Sequence, residues 1–292
     1  VCYSCNMSGK KTVIVTGGAG FIGSHLCERL VADSRNRVIS LDNYSAGSRD
    51  NHIAGVEYRE GHTKDIEKLI PENTDLVFHL GEYARVESSF ADITMVLDSN
   101  TTGTHGVLEF CRKQNCKIVY AGSSTKFGDG GMGRDQSPYA WTKASNTELV
   151  ENYCEWFGTP FAITYFYNVY GPRERTASNR GTLIETFCEQ YRRCESLTVV
   201  SPGTQKRNFT HVSDIVDGLI LAGENGHGDG FGLGATESYS IIDVARMFGD
   251  NIKMLPERAG NRMSADLDTS KSELLGWKQK RNLKDYISSK IK

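Results

Sequence analysis

A tyrosine and a lysine stand four residues apart in Ser137-Pro138-Tyr139-Ala140-Trp141-Thr142-Lys143, a spacing that sets both side chains on one face of a helix. A phenol of ordinary pKa, near 10, is only about one part in a thousand ionised at neutral pH. An ammonium beside it favours the phenolate, and the pair then becomes a usable base for a hydroxyl proton. Upstream, Ile118-Val119-Tyr120-Ala121-Gly122-Ser123-Ser124 ends a strand-like run in two hydroxyls. In open parallel sheets ligands sit at the carboxyl ends of strands.

A second chemistry is written in Val13-Ile14-Val15-Thr16-Gly17-Gly18-Ala19-Gly20-Phe21-Ile22-Gly23. A strand enters a glycine-rich turn that opens directly onto a helix. Gly17 and Gly20 let the turn close and a pyrophosphate approach the backbone, while Gly23 lets helix and strand pack closely. The helix start, at Phe21 and Ile22, offers unpaired N–H groups to the anion. Asp42 closes the next strand 25 residues after Gly17. A carboxylate there accepts both ribose hydroxyls of an adenosine and repels a 2′-phosphate, which favours NAD over NADP. Asn43 beside it is counted among the cofactor contacts.

These groups need a frame, and the hydrophobic pattern supplies one. Strand-like runs at residues 12–16, 37–41, 56–59, 75–80, 117–121 and 161–166 alternate with helical patterns at 20–32, 65–70, 101–114 and 139–157. The alternation predicts right-handed crossovers and a parallel, doubly wound α/β sheet. After about Gly171 the rhythm breaks, and the helical segments at 183–193 and 241–248 stand alone. A Rossmann-type domain is therefore expected over residues 7–170, with a segment near 205–235 returning to it. A smaller mixed α/β substrate domain is expected over most of 171–292.

The glycine spacing, G-x-x-G-x-x-G, together with several separated blocks from Val13 to about Trp277, resembles the extended short-chain dehydrogenase/reductase superfamily. Its NAD-dependent nucleotide-sugar epimerases and dehydratases are the relevant branch, with the 4-epimerases nearest. The resemblance implies that Ser123, Tyr139 and Lys143 form the catalytic triad. Tyr139 is then the acid/base, Lys143 lowers its pKa and holds the ribose, and Ser123 hydrogen-bonds the reacting hydroxyl, with Ser124 the alternative one register on. The implied reaction removes a sugar hydroxyl proton while the carbon's hydride passes to NAD, leaving a 4-ketose. Family 4,6-dehydratases carry Asp-Glu after the hydroxyl residue, where this chain has Ser124-Thr125. The expected function is therefore a nucleotide-sugar 4-epimerase. The alternative is a 4-dehydrogenase that releases the keto sugar, and a dinucleotide-sensing protein without turnover is disfavoured by the complete triad.

The same resemblance assigns further positions. Leu80 and Gly81 lie beside the cofactor, and Glu82 stands where relatives have alanine, near the pyrophosphate or substrate. His79 is expected to be a hydrogen-bonded structural histidine. His62 replaces an aspartate that meets the adenine, with Thr63 next to it. Asn100 steadies the active-site helix. Asn168 contacts the sugar nucleotide, Arg207 clamps the diphosphate, and Arg258, followed by Asn261, is a second diphosphate arginine. Lys126-Phe127 departs from the usual Val-Tyr, and the segment to Trp277 is structural. A homodimer is implied through the helices around residues 96–111 and 139–157.

Composition narrows the rest. The 292-residue chain carries a net charge of −2 and is 38% hydrophobic and 24% charged. That balance suits a folded core and offers no general attraction for nucleic acid or an anionic membrane. No apolar run nears the ~20 residues of a membrane span. Cys27, Cys111, Cys154 and Cys188 fall in helical patterns as small hydrophobes, and Cys2 and Cys5 lack the second pair a zinc site needs. Residues 1–6 have no signal-peptide pattern, Met7 is a candidate start, and a reducing cytoplasm is expected.

Overall fold

The computed structural model describes residues 9–174, 181–257 and 263–291. β1 (Lys11–Thr16) is rich in β-branched residues, whose stiff side chains suit a pleated surface. Val13 and Val15 pack on one face of the sheet and Ile14 on the other, all of them buried. A strand covered on both faces has this pattern. The other strands are β2 (Asn36–Asp42), β3 (Glu57–Glu60), β4 (Leu76–His79), β5 (Lys117–Ser123), β6 (Phe161–Phe166), β7 (Val169–Tyr170), β8 (Leu197–Val200), β9 (Lys206–Asn208), β10 (Thr210–His211), β11 (Gly228–Leu233), β12 (Ser238–Ser240) and β13 (Ile252–Leu255). The helices are α1 (Phe21–Val31), α2 (Ile66–Leu69), α3 (Ile93–Val96), α4 (Gly103–Gln114), α5 (Pro138–Phe157), α6 (Leu183–Arg192), α7 (Val212–Asn225), α8 (Ile241–Arg246), α9 (Ser270–Leu274) and α10 (Leu283–Lys290).

Seven strands form one sheet in the order β11-β6-β5-β4-β1-β2-β3, and every neighbouring pair is parallel. The strand order reverses between β1 and β4, which opens a crevice at their carboxyl ends. This is the Rossmann-type sheet that the alternation of patterns predicts. α1 and α7 cover one face through Leu26, Leu30, Val216 and Leu219. α4 and α5 cover the other through Val107, Leu108 and Val150. A third core gathers Tyr170, Ile184, Phe187, Val199, Val244 and Leu283.

The chain passes repeatedly between the sheet and this third core. After β10 it returns through α7 and β11, with β11 pairing along β6 at the sheet edge. It leaves again through β12, α8 and β13, and comes back at Trp277, whose indole N–H donates to the Asp214 carbonyl at 2.8 Å. α10 then closes the third core with Leu283 and Ile287.

Most boundaries shift by a residue or two from the sequence pattern, and two of the shifts bear on the site. β5 continues through Ser123, so that its hydroxyl belongs to the strand end itself. The 101–114 helix instead begins as α4 at Gly103, after α3 and a wide π-type turn over Leu97–Thr102. Cys27, Cys111, Cys154 and Cys188 are buried free thiols. Cys2, Cys5 and Met7 lie outside the described residues. Among the described residues, no helix is long and apolar enough to cross a membrane, and no group of three His, Cys, Asp or Glu side chains is arranged to hold a metal.

α7 is held to the sheet by packing, and Leu219 at its centre is fully buried. Leu219→Ala should lower the unfolding free energy by about 2–5 kcal/mol, measured by chemical denaturation. A loss under half a kcal/mol would mean that α7 is not integral to this core.

Candidate active site

The glycine turn is built by close backbone approach. Gly17 has φ +74°, and a Cβ there would lie 3.0 Å from the Gly81 backbone. A Cβ on Gly23 would lie 2.1 Å from the Gly17 carbonyl oxygen, so the helix can follow the turn this closely only without one. α1 begins at Phe21 with Gly20 as its N-cap, and no side chain caps it. That end leaves donors and the positive pole of the helix facing the crevice. At the end of β2, Asp42 accepts from Ala19 N at 3.0 Å and Tyr44 N at 2.8 Å. Burial pushes its carboxyl up, against those two backbone donors. A cradle that a Cβ would fill, an open helix start and a carboxylate at the next strand end fit a dinucleotide.

The triad assembles across the sheet from there. Ser137 is the N-cap of α5 and accepts from Ala140 N at 3.1 Å, which fixes the helix start one residue before Tyr139. Tyr139 Oη donates to Ser123 Oγ at 3.2 Å. Thr125 donates to the same oxygen from Oγ1 at 3.0 Å and from N at 3.3 Å. Ser123 Oγ thus lies among the Tyr139 and Thr125 hydroxyls at the cavity wall. One helical turn on, Lys143 Nζ donates to the Ala121 carbonyl and to Glu82 Oε2, and lies 4.8 Å from the Tyr120 ring centroid.

Beneath Lys143 lies a buried polar network. Glu82 Oε1 accepts from Thr104 Oγ1 at 2.8 Å, Asn146 Nδ2 at 2.8 Å and Tyr120 Oη at 3.1 Å. Because Thr104 gives its proton to Glu82, its oxygen accepts from His79 Nε2 at 3.0 Å. His79 Nδ1 then accepts from Thr16 Oγ1 at 2.8 Å, and Thr16 in turn accepts from Leu80 N and Gly81 N. Burial works to raise the Glu82 carboxyl, but the charge of Lys143 and the hydrogen bonds hold it below the usual range. Asn100 is buried as well: its Oδ1 accepts from Tyr83 N at 2.6 Å, and its Nδ2 donates to Thr142 on α5 at 3.0 Å.

One cavity of about 600 Å³ joins these parts. On the turn side it is bordered by Gly17, Gly20, Phe21, Ile22, Gly23, Asp42 and Asn43, with Thr63, Leu80 and Gly81 behind them. Ser123, Ser124, Tyr139 and Lys143 form its middle, and Asn168 and Arg207 its far side. Asn168 Nδ2 donates to the Asn208 carbonyl at 3.1 Å, and Arg207 Nη1 donates to the Lys206 and Met263 carbonyls.

Two of the sequence-based site residues make contacts that the sequence does not show. Glu82 borders the cavity, and its side chain, only 2% exposed, is bonded to Lys143. The carboxylate is drawn there because four donors surround it. The His62 ring is not part of the cavity wall. It accepts from Lys64 N at 3.1 Å to cap a short turn, and its Nε2 faces Asp98 at 3.4 Å. Arg258 and Asn261 lie outside the described residues. The sequence reading also passed over Arg173 and Glu174, which follow directly on the Gly171-Pro172 that closes the Asn168 block and border the same cavity. Arg173 pairs with Glu28 at 2.8 Å. Burial raises Glu174 to about 7, opposed by its hydrogen bonds from Thr182.

Residues 13–234 match the model of a family described as the NAD dependent epimerase/dehydratase family. An uncharacterized UDP-glucose epimerase of Bacillus subtilis is 29% identical, covering 96% of each chain. A UDP-glucuronic acid decarboxylase of Arabidopsis thaliana is 28% identical over 94% of this chain and 86% of its own. Among solved structures, the UDP-glucuronic acid 4-epimerase of Bacillus cereus, in complex with UDP-glucuronic acid and NAD, is 27% identical. It superposes with a TM-score of 0.86, over 96% of this chain and 98% of that one.

Burial lowers His79 from 6.5 to about 4. Between those values the unfolded chain binds a proton that the folded one refuses, so stability falls as pH drops through that window. The parent should lose up to ~3 kcal/mol more than His79→Gln between about pH 7 and about pH 4. Urea unfolding at each pH measures this, and equal slopes for the two proteins would refute it.

Proposed function

The chain belongs to the NAD dependent epimerase/dehydratase family, and on that premise we propose that it is a nucleotide-sugar 4-epimerase acting on a UDP-linked hexose. The observation that carries the reading is the Tyr139–Ser123 hydrogen bond at 3.2 Å, with Lys143 one turn along the same helix, in the cavity that the glycine turn opens onto. Bound NAD supplies the acceptor, and later the donor, of the C4 hydride. Gly17, Gly20 and the start of α1 would hold its pyrophosphate, and Asp42 its adenosine ribose.

Ser123 offers its hydroxyl proton to the C4 oxygen and keeps that oxygen beside Tyr139. Tyr139 Oη takes the hydroxyl proton as the alcohol becomes a ketone, and returns it when the ketone is reduced on its other face. No acid/base pair for water loss follows Ser123, since Ser124-Thr125 occupies those positions. Asn168 and Arg207 border the far side of the cavity, where a sugar diphosphate would lie, and a guanidinium fork matches phosphate oxygens. A ketone at C4 is β to a C6 carboxylate, so a hexuronic acid substrate would tend to lose CO₂. The decarboxylase kinship makes that outcome worth measuring.

Purified protein incubated with UDP-glucose, UDP-N-acetylglucosamine or UDP-glucuronic acid should yield the 4-epimer of at least one, identified by chromatography and mass spectrometry. Released keto sugar with accumulating NADH would identify a dehydrogenase, and a pentose with CO₂ a decarboxylase. Tyr139→Phe should cut kcat by roughly a hundred- to ten-thousand-fold with NAD still bound. Full activity in that variant would remove the tyrosine from the chemistry.

We also propose a homodimer. Phe90, Ile93 and Leu97 around α3, and Trp141, Trp156 and Phe157 on α5, are each between 41% and 69% exposed, and apolar surface of this extent marks contact sites. Ile93→Glu should convert the protein to a monomer by analytical ultracentrifugation. A parent that is already monomeric would overturn the proposal.

A further inference from the structure

An isolated carboxylate would not be buried at the end of a parallel strand, because desolvation would neutralise it. The carboxylate of Glu82 is compensated from four directions. Lys143 holds Oε2, and Thr104, Asn146 and Tyr120 donate to Oε1. The Lys143 side chain is 7% exposed, so the two charges face each other nearly out of water. An ammonium has three N–H bonds. Two of those on Lys143 are directed at Glu82 Oε2 and the Ala121 carbonyl, and one remains for the cavity.

Lys143, one helical turn from Tyr139 on α5, thus has a counter-charge bonded directly to it. We propose that Glu82 is a positioning residue that anchors the Lys143 ammonium and, by its opposing charge, keeps the proton on Tyr139 to a higher pH than the lysine alone would allow. The inference rests on the reading of Tyr139 as acid/base and gives that reading a regulator. A tyrosine that keeps its proton to a higher pH has a smaller phenolate fraction at neutral pH for the first half of the reaction, while each phenolate formed is the stronger base.

The other ionisable groups around this pair are of known place. His79 of β4 lies behind Thr104 and is neutral, its pKa lowered by burial to about 4. Tyr120 of β5 is buried and remains a phenol, its ionisation pushed well up by desolvation. Arg85, Arg173, Glu174 and Arg207 border the cavity. The charge that bonds Lys143 directly is Glu82.

The test reads Tyr139 itself and needs no sugar. The near-ultraviolet tyrosinate band is titrated in NAD-loaded and NAD-free protein, with the matching Tyr139→Phe protein subtracted in each background. Glu82→Gln keeps the shape and removes the charge, and its Tyr139 midpoint should fall by about one pH unit relative to the parent. Glu82→Asp, which keeps the charge, should restore the parent midpoint. Glu82→Ala serves as the second charge-free variant should Gln disturb the fold, judged by circular dichroism. An unchanged or raised midpoint in a folded charge-free variant overturns the proposal. If no UDP-sugar is turned over but the midpoint falls as stated, the epimerase reading fails while the role of Glu82 stands.

Discussion

The site depends on two backbones meeting without side chains between them. Gly17 in the turn after β1 and Gly81 after β4 approach so closely that a Cβ on either would lie 3.0 Å from the other's backbone. Thr16 ties the same place with one hydroxyl, accepting from Leu80 N and Gly81 N while it reaches His79. This contact lies at the reversal of strand order, where a parallel sheet opens. The glycine turn and the strand end that leads to Glu82 are thereby fixed relative to each other.

From that contact a continuous line of hydrogen bonds runs under the active helix: Thr16, His79, Thr104, Glu82, Lys143. Each member is buried and partnered, the condition under which a polar network adds rigidity instead of cost. Asn100 and Asn146 join it to the wide turn before α4 and to α5. The helix that carries Tyr139 and Lys143 is thus held by polar groups as well as by its packing on β5 and β6.

Much of this was legible in the chain. The Tyr139–Lys143 spacing needs only helical periodicity to place both on one face. The glycine turn is recognisable because a β-branched run precedes it and a helical pattern follows. β11 escaped notice because Gly-Asp-Gly-Phe-Gly-Leu has little strand propensity. It forms where β6 offers an open edge and where Asp268 passes so near that a Cβ on Gly232 would lie 2.0 Å from its carbonyl oxygen. The direction of Glu82 was hidden for a related reason. Sequence shows a charge beside a cofactor strand, but only the fold brings Thr104, Tyr120, Lys143 and Asn146 around it. His62 likewise spends its ring on a local cap and an acidic neighbour, a choice set by the turn and not by the motif.

The route of the chain between its sheet and its third core has a mechanical meaning. A lobe joined by one linker swings freely about it, whereas here α7 with β11, and later Trp277, return to the sheet before the chain leaves again. Any closure over the cavity must flex all of these connections at once. Such stitching favours small sliding displacements over wide hinge opening, so the two walls of the cleft stay near their working separation before a ligand arrives.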